Sequence, residues 1–464
     1  MKNALLIFAF LSFYLSSVHA SVEIRSNKLT TGDGLANNSI RYMFQDSKGF
    51  MWMGTVNGLS YYDGNSFVSI YPDPNLPISL ADPRIRNMEE DSNGFLWIAT
   101  LSSLYSCYDL KHGRFVDFTG CGEYKQSYSK KIIASDQSIW LWDNNNGCRR
   151  VVYQDGQFSS QAYKKELGNL SSDEVLFVYE SNDSPGHVWI GTKQGLWKYH
   201  DGKLEAMDTQ GESWEHIFSY DQYTCIITGK KEIYRHSLSN NRLEKIASLT
   251  ELGDTGVITG SLRLQHQWVM FTATGSYILD PVTGKLRRFS RLNIKNGNVT
   301  RDNKGNAWVH NYTGNVWYVN TSTGDIKHFQ FLSSEHLGYI DVERYSIIHD
   351  SRDIIWITTY GNGLFAYDLN TGDLQHFTFE VSHSSHINSN YLQYIIEDRS
   401  GGIWVSSEFS GLSHLEILNK GTLRIYPNGE DASDRSNTIR MLLRGKNGNV
   451  YMANRMGTLY EYDA

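Results

Sequence analysis

Gln45-Asp46-Ser47-Lys48-Gly49-Phe50-Met51-Trp52-Met53-Gly54-Thr55, followed by Gly58-Leu59 and Tyr61-Tyr62-Asp63, is the stretch from which the rest of the chain can be read. Its order is an acid, a tight turn with glycine, an aromatic-bearing strand, Gly-Thr, a second turn with glycine, and a tyrosine-rich strand. The same order returns at Asp91 to Thr100, at Gly186 to Thr192 with Gly195-Leu196, at Trp356 to Thr359 with Gly363-Leu364, and at Trp404 to Ser407 with Gly411-Leu412. Aligned on the tryptophan, the copies are anchored at Trp52, Trp97, Trp140, Trp189, Cys225, Trp268, Trp308, Trp356, Trp404 and Tyr451. A period of about forty to fifty residues with strand-like content is the signature of four-stranded propeller blades.

Each copy supports four strands. In the first, Ile40 to Phe44 is followed by the Asp46-Ser47-Lys48-Gly49 turn, where Asp can bond backbone amides and Gly supplies a positive φ. Phe50 to Gly54, Leu59 to Tyr62 and Ser66 to Tyr71 complete the unit. Both faces of the second strand carry apolar or small residues, as expected of a sheet sandwiched between neighbours. The tryptophan therefore reads as a packing residue.

The expected fold class is all-β: a β-propeller of four-stranded blades, one seven-bladed propeller plus an incomplete second one. Ten anchors exceed the roughly four to eight blades usual in one ring. The first seven would complete a propeller over residues 21–324, with Val22 to Leu29 supplying the outer strand of its last blade and removing an open edge. Residues 325–464 would hold the first blades of a second propeller, which breaks off inside a blade at Tyr460-Glu461-Tyr462-Asp463-Ala464. The alternative is one large ring of all ten repeats.

Bulk composition excludes several classes. Net charge is −7 with no basic block, which argues against nucleic-acid binding. Lys2, the apolar run Ala4 to Leu15 and Val18-His19-Ala20 read as a secretory signal peptide over residues 1–20, giving a periplasmic product. No later stretch approaches the roughly 18 apolar residues of a membrane span. The four cysteines are too few for a disulfide scaffold or a zinc site. Cys225 stands where other repeats have tryptophan and reads as buried and free, while Cys121 and Cys148 could meet at one rim.

These repeats resemble the two-component-regulator propeller repeat, and Leu29-Thr30-Thr31-Gly32-Asp33-Gly34-Leu35 resembles the family's entry segment. The resemblance implies the periplasmic sensor half of a hybrid two-component system that controls polysaccharide use. In that family two seven-bladed propellers precede an immunoglobulin-like domain, a membrane helix, a kinase, a receiver and a DNA-binding domain. Those signalling parts have no counterpart in this sequence. The implied partners are an oligosaccharide ligand and a second copy in a homodimer.

In a propeller the D-to-A and B-to-C loops share one face. The B-to-C loops vary between copies here, and a sugar needs an aromatic face with amides and charges nearby. Trp142, Asn144, Trp214, Tyr312, Tyr360, Glu408 and Phe409 supply that chemistry and are the candidate ligand residues. Arg84, Arg86, Arg344 and Tyr345 stand out beside them.

The alternative is a secreted lyase or glycosidase acting on polysaccharide. The Asp-x-x-Gly-x-x-Trp order resembles the Asp box of sialidase-like propellers, but the spacing is off by one. A glycosidase needs two carboxyls roughly 5–9.5 Å apart. Asp173, Glu174, Glu343 and Glu408 are available, yet nothing pairs them in sequence. Ser127-Tyr128-Ser129-Lys130 fits Ser-x-x-Lys without its partner motifs. The histidines show no metal-ligand spacing. The expectation is a protein without catalytic residues, metal or cofactor.

Overall fold

Strands such as Met51–Thr55, Phe95–Thr100, Val188–Thr192 and Ile354–Thr358 are buried along their whole length. A strand can bury both faces only if a sheet lies on either side of it. The computed structural model describes residues 22–120, 127–181, 185–208, 213–221, 224–229, 232–237, 239–254, 257–302, 304–311, 313–331, 346–380, 386–418, 438–446 and 449–462. Contacts divide the chain into the unit Ile24–Ile417 and a second unit that contains Leu418–Ala464.

Among the described residues the larger unit holds nine four-stranded sheets, numbered here in the order of their first strands. These begin at Ile40–Gln45, Ile85–Glu90, Lys130–Ile133, Val175–Glu180, Trp214–Asp221, Gly260–Leu264, Asn298–Arg301, Ser346–His349 and Leu392–Glu397. Sheets 1 to 8 are simple antiparallel meanders. First strands of neighbouring sheets approach one another, and apolar side chains fill the spaces between sheets. Trp52 packs with Ile85, Met88 and Leu96 of sheet 2, and Met43 and Met53 of sheet 1 pack with Trp404 and Leu412 of sheet 9. Sheet 9 thus lies against sheet 1, and the propeller is closed at that seam. The second unit carries a three-stranded sheet, Ile439–Arg444, Val450–Asn454 and Leu459–Tyr462.

Two expectations about closure are corrected. The strand Glu23–Leu29 pairs with Leu412–Leu418 of sheet 9, not with the sheet built on Trp308. That seventh sheet already has its own outer strand, Ile326–Gln330, paired with Asn315–Val319. The proposed boundary between residues 324 and 325 therefore falls at the entry to a strand of sheet 7. Among the described residues the outer strand of sheet 9 is the N-terminal strand, which takes the edge beside Leu412–Leu418.

The repeated turn has a definite chemistry. Asp46 Oδ1 accepts from the backbone N–H of Lys48 (3.0 Å) and Phe50 (2.9 Å), and Oδ2 accepts from the Trp52 indole (2.8 Å). The indole bond recurs at Asp91–Trp97 (2.8 Å), Asp350–Trp356 (2.9 Å) and Asp398–Trp404 (2.7 Å). Burial alone would raise the Asp398 carboxyl, but hydrogen bonds from His414, Ser400, Trp404 and Gly402 hold it well below its ordinary value. Gly54 completes the unit by allowing close approach: a Cβ there would lie 2.5 Å from Ile85 Cγ2 of the next sheet.

The residue after the turn acid, or after Ala134 where sheet 3 lacks that acid, links neighbouring sheets. Ser47 donates its N–H (2.6 Å) and hydroxyl (2.5 Å) to Glu90, Ser135 does the same to Glu180, and Ser351 to Glu397. In each pair the glutamate ends the first strand of the following sheet. At the seam Arg399 takes the serine's place and Gln45 the glutamate's. The Arg399 N–H donates to Gln45 Oε1 (2.9 Å), and its guanidinium donates to the carbonyls of Ser47 (3.0 Å) and Asp46 (2.7 Å).

Two stability predictions follow from these contacts. Asp91→Ala leaves a buried indole N–H and two turn amides without their acceptor and should lower unfolding free energy by on the order of 3 kcal/mol in urea titration. Arg399→Ala should cost roughly 1–2 kcal/mol, and limited proteolysis should show faster cleavage at the seam segments around Leu29 and Gln45 than elsewhere.

Candidate functional site

First strands of neighbouring sheets approach one another, and several carry a register slip at their second residue. The slips fall between Ile40 and Tyr42, Ile85 and Asn87, Val175 and Phe177, Trp214 and His216, and Leu392 and Ile395. A bulge leaves a residue out of the ladder and re-aims side chains. Here it sets apart Arg41, Arg86, Leu176, Glu215 and the pair Gln393-Tyr394.

Sheets 3, 4 and 5 share a cavity of about 460 Å³ beside these bulges, with Val257 completing its wall. Trp142, Phe177, Tyr179 and Phe218 supply aromatic surface, and Lys130, Asn144, Glu215 and His216 supply polar groups. Trp142 lies two residues beyond the anchor Trp140, where sheets 1, 2, 4, 8 and 9 have the small residues Gly54, Ala99, Gly191, Thr358 and Ser406, and sheets 5, 6 and 7 have Ile227, Met270 and His310. The indole at this position has no counterpart in the other repeats and is the sequence signal nearest the cavity.

Lys130 Nζ donates to the Leu176 carbonyl (3.2 Å) of the next sheet, and Tyr179 Oη accepts from the Ser219 N–H (3.2 Å). Burial lowers the Lys130 ammonium below its ordinary pKa, and the nearby Arg86 charge adds to that shift. His216 is held at about 4, first by burial and then by the Lys130 charge, so it stands neutral at physiological pH. This gives one cation, one acid, one amide and one neutral imidazole around an aromatic wall.

The sequence-predicted residues divide into groups. Trp142 and Asn144 both line the cavity. Trp214 is buried at 1% exposure and packs on Tyr234 with ring centroids 4.9 Å apart; its neighbours Glu215 and His216 reach the cavity instead. Tyr360 and Glu408 lie near the seam. Tyr360 stacks edge-on with Tyr391 at 5.2 Å, and the Glu408 N–H donates to the Tyr391 carbonyl (3.0 Å). Glu408 also accepts from Arg41 Nη2 (3.0 Å) and from Gln393 Nε2. Phe409 is 69% exposed. Tyr312, Arg344, Tyr345 and the signal segment 1–20 lie outside the described residues. Lys130, Phe218 and His216 were missed because they come from first strands, where the repeat gives no signal of function.

Other expectations are placed as follows. Cys225 is a buried thiol outside any disulfide, and so is Cys148, whose pKa burial pushes up. Its suggested partner Cys121 lies outside the described residues. Glu174 pairs with Lys193 (2.8 Å), Asp173 accepts from the Lys165 N–H (2.8 Å), and Glu343 lies outside the described residues. Among the described residues no group of His, Cys, Asp or Glu is arranged to hold a metal, and no helix is long and apolar enough to cross a membrane.

Comparison with known proteins agrees with the repeat reading. The family described as two component regulator propeller matches residues 34–57 and 79–102, which span the first two anchors. Among solved structures, the extracellular domain of one putative hybrid two component system from B. thetaiotaomicron aligns at 16% identity with a TM-score of 0.39. That alignment covers 96% of this chain and 58% of the other. A second such domain from the same organism aligns at 19% identity and TM-score 0.31, covering 96% and 71%. BamB from Moraxella catarrhalis aligns at 12% identity and TM-score 0.42, covering 85% and 98%. The chain thus spans under two thirds of the first of these structures. No curated protein matches the sequence.

A buried histidine makes the fold sensitive to acid. His236 is fully buried between sheets 4 and 5, its ring 4.6 Å from Trp189, and burial with the Lys198 charge holds it at about 4. Below about 6.5 the unfolded chain takes up a proton that the folded state refuses, so stability falls as pH drops from there towards 4. At pH ~5 this group should cost about 2 kcal/mol relative to neutral pH. Urea midpoints at both pH values, for the wild type and for His236→Asn, measure this; the variant should lose less stability on acidification.

Proposed function

We propose that this protein is the ligand-binding ectodomain of a two-component sensor, located outside the cytoplasm, and that its ligand is an oligosaccharide. The observation that carries the reading is the cavity in which Trp142 and Asn144 meet Phe218, Tyr179, Lys130 and His216. An aromatic wall suits the C–H face of a pyranose, and the amide, ammonium and imidazole groups suit its hydroxyls. The two-component regulator propeller match at residues 34–57 and 79–102 supports the sensor role. The names of the two B. thetaiotaomicron structures agree with it.

In this reading Trp142 and Asn144 contact the ligand. Tyr360, Glu408 and Phe409 form a separate surface near the seam, where a second copy of the chain could dock. The protein itself carries out no chemistry; it converts occupancy of the cavity into a change in how sheets 3 to 5 pack.

A thermal-shift screen against neutral and acidic oligosaccharides, followed by calorimetry on the hits, tests the reading. Asn144→Ala, at an exposed position, should weaken binding by roughly tenfold without lowering the melting temperature. Phe409→Ala should leave affinity unchanged. Turnover of any glycan by the purified protein would contradict the reading.

A further inference from the structure

Basic side chains on the first strands of sheets 1 to 3 differ in how they are neutralised. Arg41 is paired with Glu408 (3.0 Å), and Lys131 is bonded to Glu89. Arg84, just before the first strand of sheet 2, is paired with Asp82 (2.9 Å). Arg86 and Lys130 are the exceptions. The Arg86 guanidinium donates to the carbonyl of Ser129, the residue before Lys130, and bonds the Tyr105 hydroxyl. Lys130 donates to the Leu176 carbonyl. Among the described residues neither cation forms an ion pair, although both are exposed; Lys130 lines the cavity, and Arg86 on the adjacent sheet lies beside it, bonded to the carbonyl of Ser129.

Two neighbouring cations repel, and among the described residues no carboxylate is paired with either of them. Such a pair suits an anion: a bound carboxylate or sulfate would gain two charge-assisted hydrogen bonds and relieve the repulsion. Glu215 on sheet 5 is the acidic group lining the cavity, and it is itself engaged. Trp142 and Asn144 on sheet 3, the sheet that carries Lys130, offer a platform for the attached sugar ring. We propose that the cavity takes an acidic oligosaccharide whose carboxylate or sulfate group sits between Arg86 and Lys130. This rests on the oligosaccharide reading above and narrows it to one charge class.

Calorimetry with the full chain separates the outcomes. The probes are oligogalacturonate (carboxylate), chondroitin sulfate oligosaccharide (carboxylate and sulfate), maltohexaose and cellohexaose (neutral), and inorganic sulfate. The acidic sugars should bind at least about tenfold more tightly than the neutral ones. Their affinity should fall as salt rises from about 50 to about 300 mM. Which acidic probe binds tells carboxylate from sulfate recognition. Arg86→Gln and Lys130→Gln should each remove roughly tenfold of the acidic affinity with an unchanged melting temperature, and Arg84→Gln should remove none. Neutral sugars binding as tightly as acidic ones, with both Gln variants unaffected, would overturn the charge assignment and leave the oligosaccharide reading standing. Inorganic sulfate binding alone, with no oligosaccharide of either class, would overturn both.

Discussion

The hydrogen bond from a tryptophan indole to a turn aspartate is the interaction on which the rest of the structure depends. One carboxylate fixes the turn through two backbone amides and, through its second oxygen, fixes the rotamer of the ring that fills the space to the next sheet. Local turn chemistry and sheet-to-sheet packing are thereby set by the same residue. A buried carboxylate would be costly without these donors. Where the acid is missing, as at Ala134 or Leu264, the Trp140 and Trp268 indoles find no acceptor, and packing alone holds the ring. At Trp308 the acid is present, but Asn306 Nδ2 occupies its second oxygen (3.2 Å). The repeats therefore grade from strongly to weakly pinned, and the anchor indoles without an acceptor lie in sheets 3, 6 and 7. The cavity lies at the start of this region.

Much of the fold was legible because the pinned unit is short-range. Asp46, Gly49, Trp52 and Gly54 act within one hairpin, so their order in sequence is their order in space. The closing strand is long-range and carries no such mark. Glu23–Leu29 carries only Ile24 and Leu29 as apolar residues, with no alternation to mark it as a strand, and its partner lies nearly four hundred residues away. Only its pairing with Leu412–Leu418 identifies the edge it fills. The seam was equally hidden: Arg399 looks like a turn residue until Gln45 is placed beside it.

The site was legible in part for the same reason. Trp142 and Asn144 lie near an anchor and break the repeat visibly. Trp214 misled because the slip between Trp214 and His216 moves the cavity-facing position by one or two residues, leaving Trp214 in the core. A bulge reverses which face a residue occupies, and nothing in an isolated strand sequence announces one. Arg86 was visible as an unusual residue, but that no described acid pairs with it appears only once Glu89, Glu408 and Asp82 are assigned to other cations.

The account's central claim is that the cavity shared by sheets 3 to 5 is where ligand acts. Hydrogen exchange, with and without the oligosaccharide giving the largest thermal shift, tests it most directly. The account predicts slowed exchange concentrated in Lys130–Ile133, at Asp143 and Asn144, and in Val175–Glu180 and Trp214–Asp221. Protection confined to the turns at Asp46, Asp91 and Asp350, or to the seam around Tyr360 and Glu408, would contradict it.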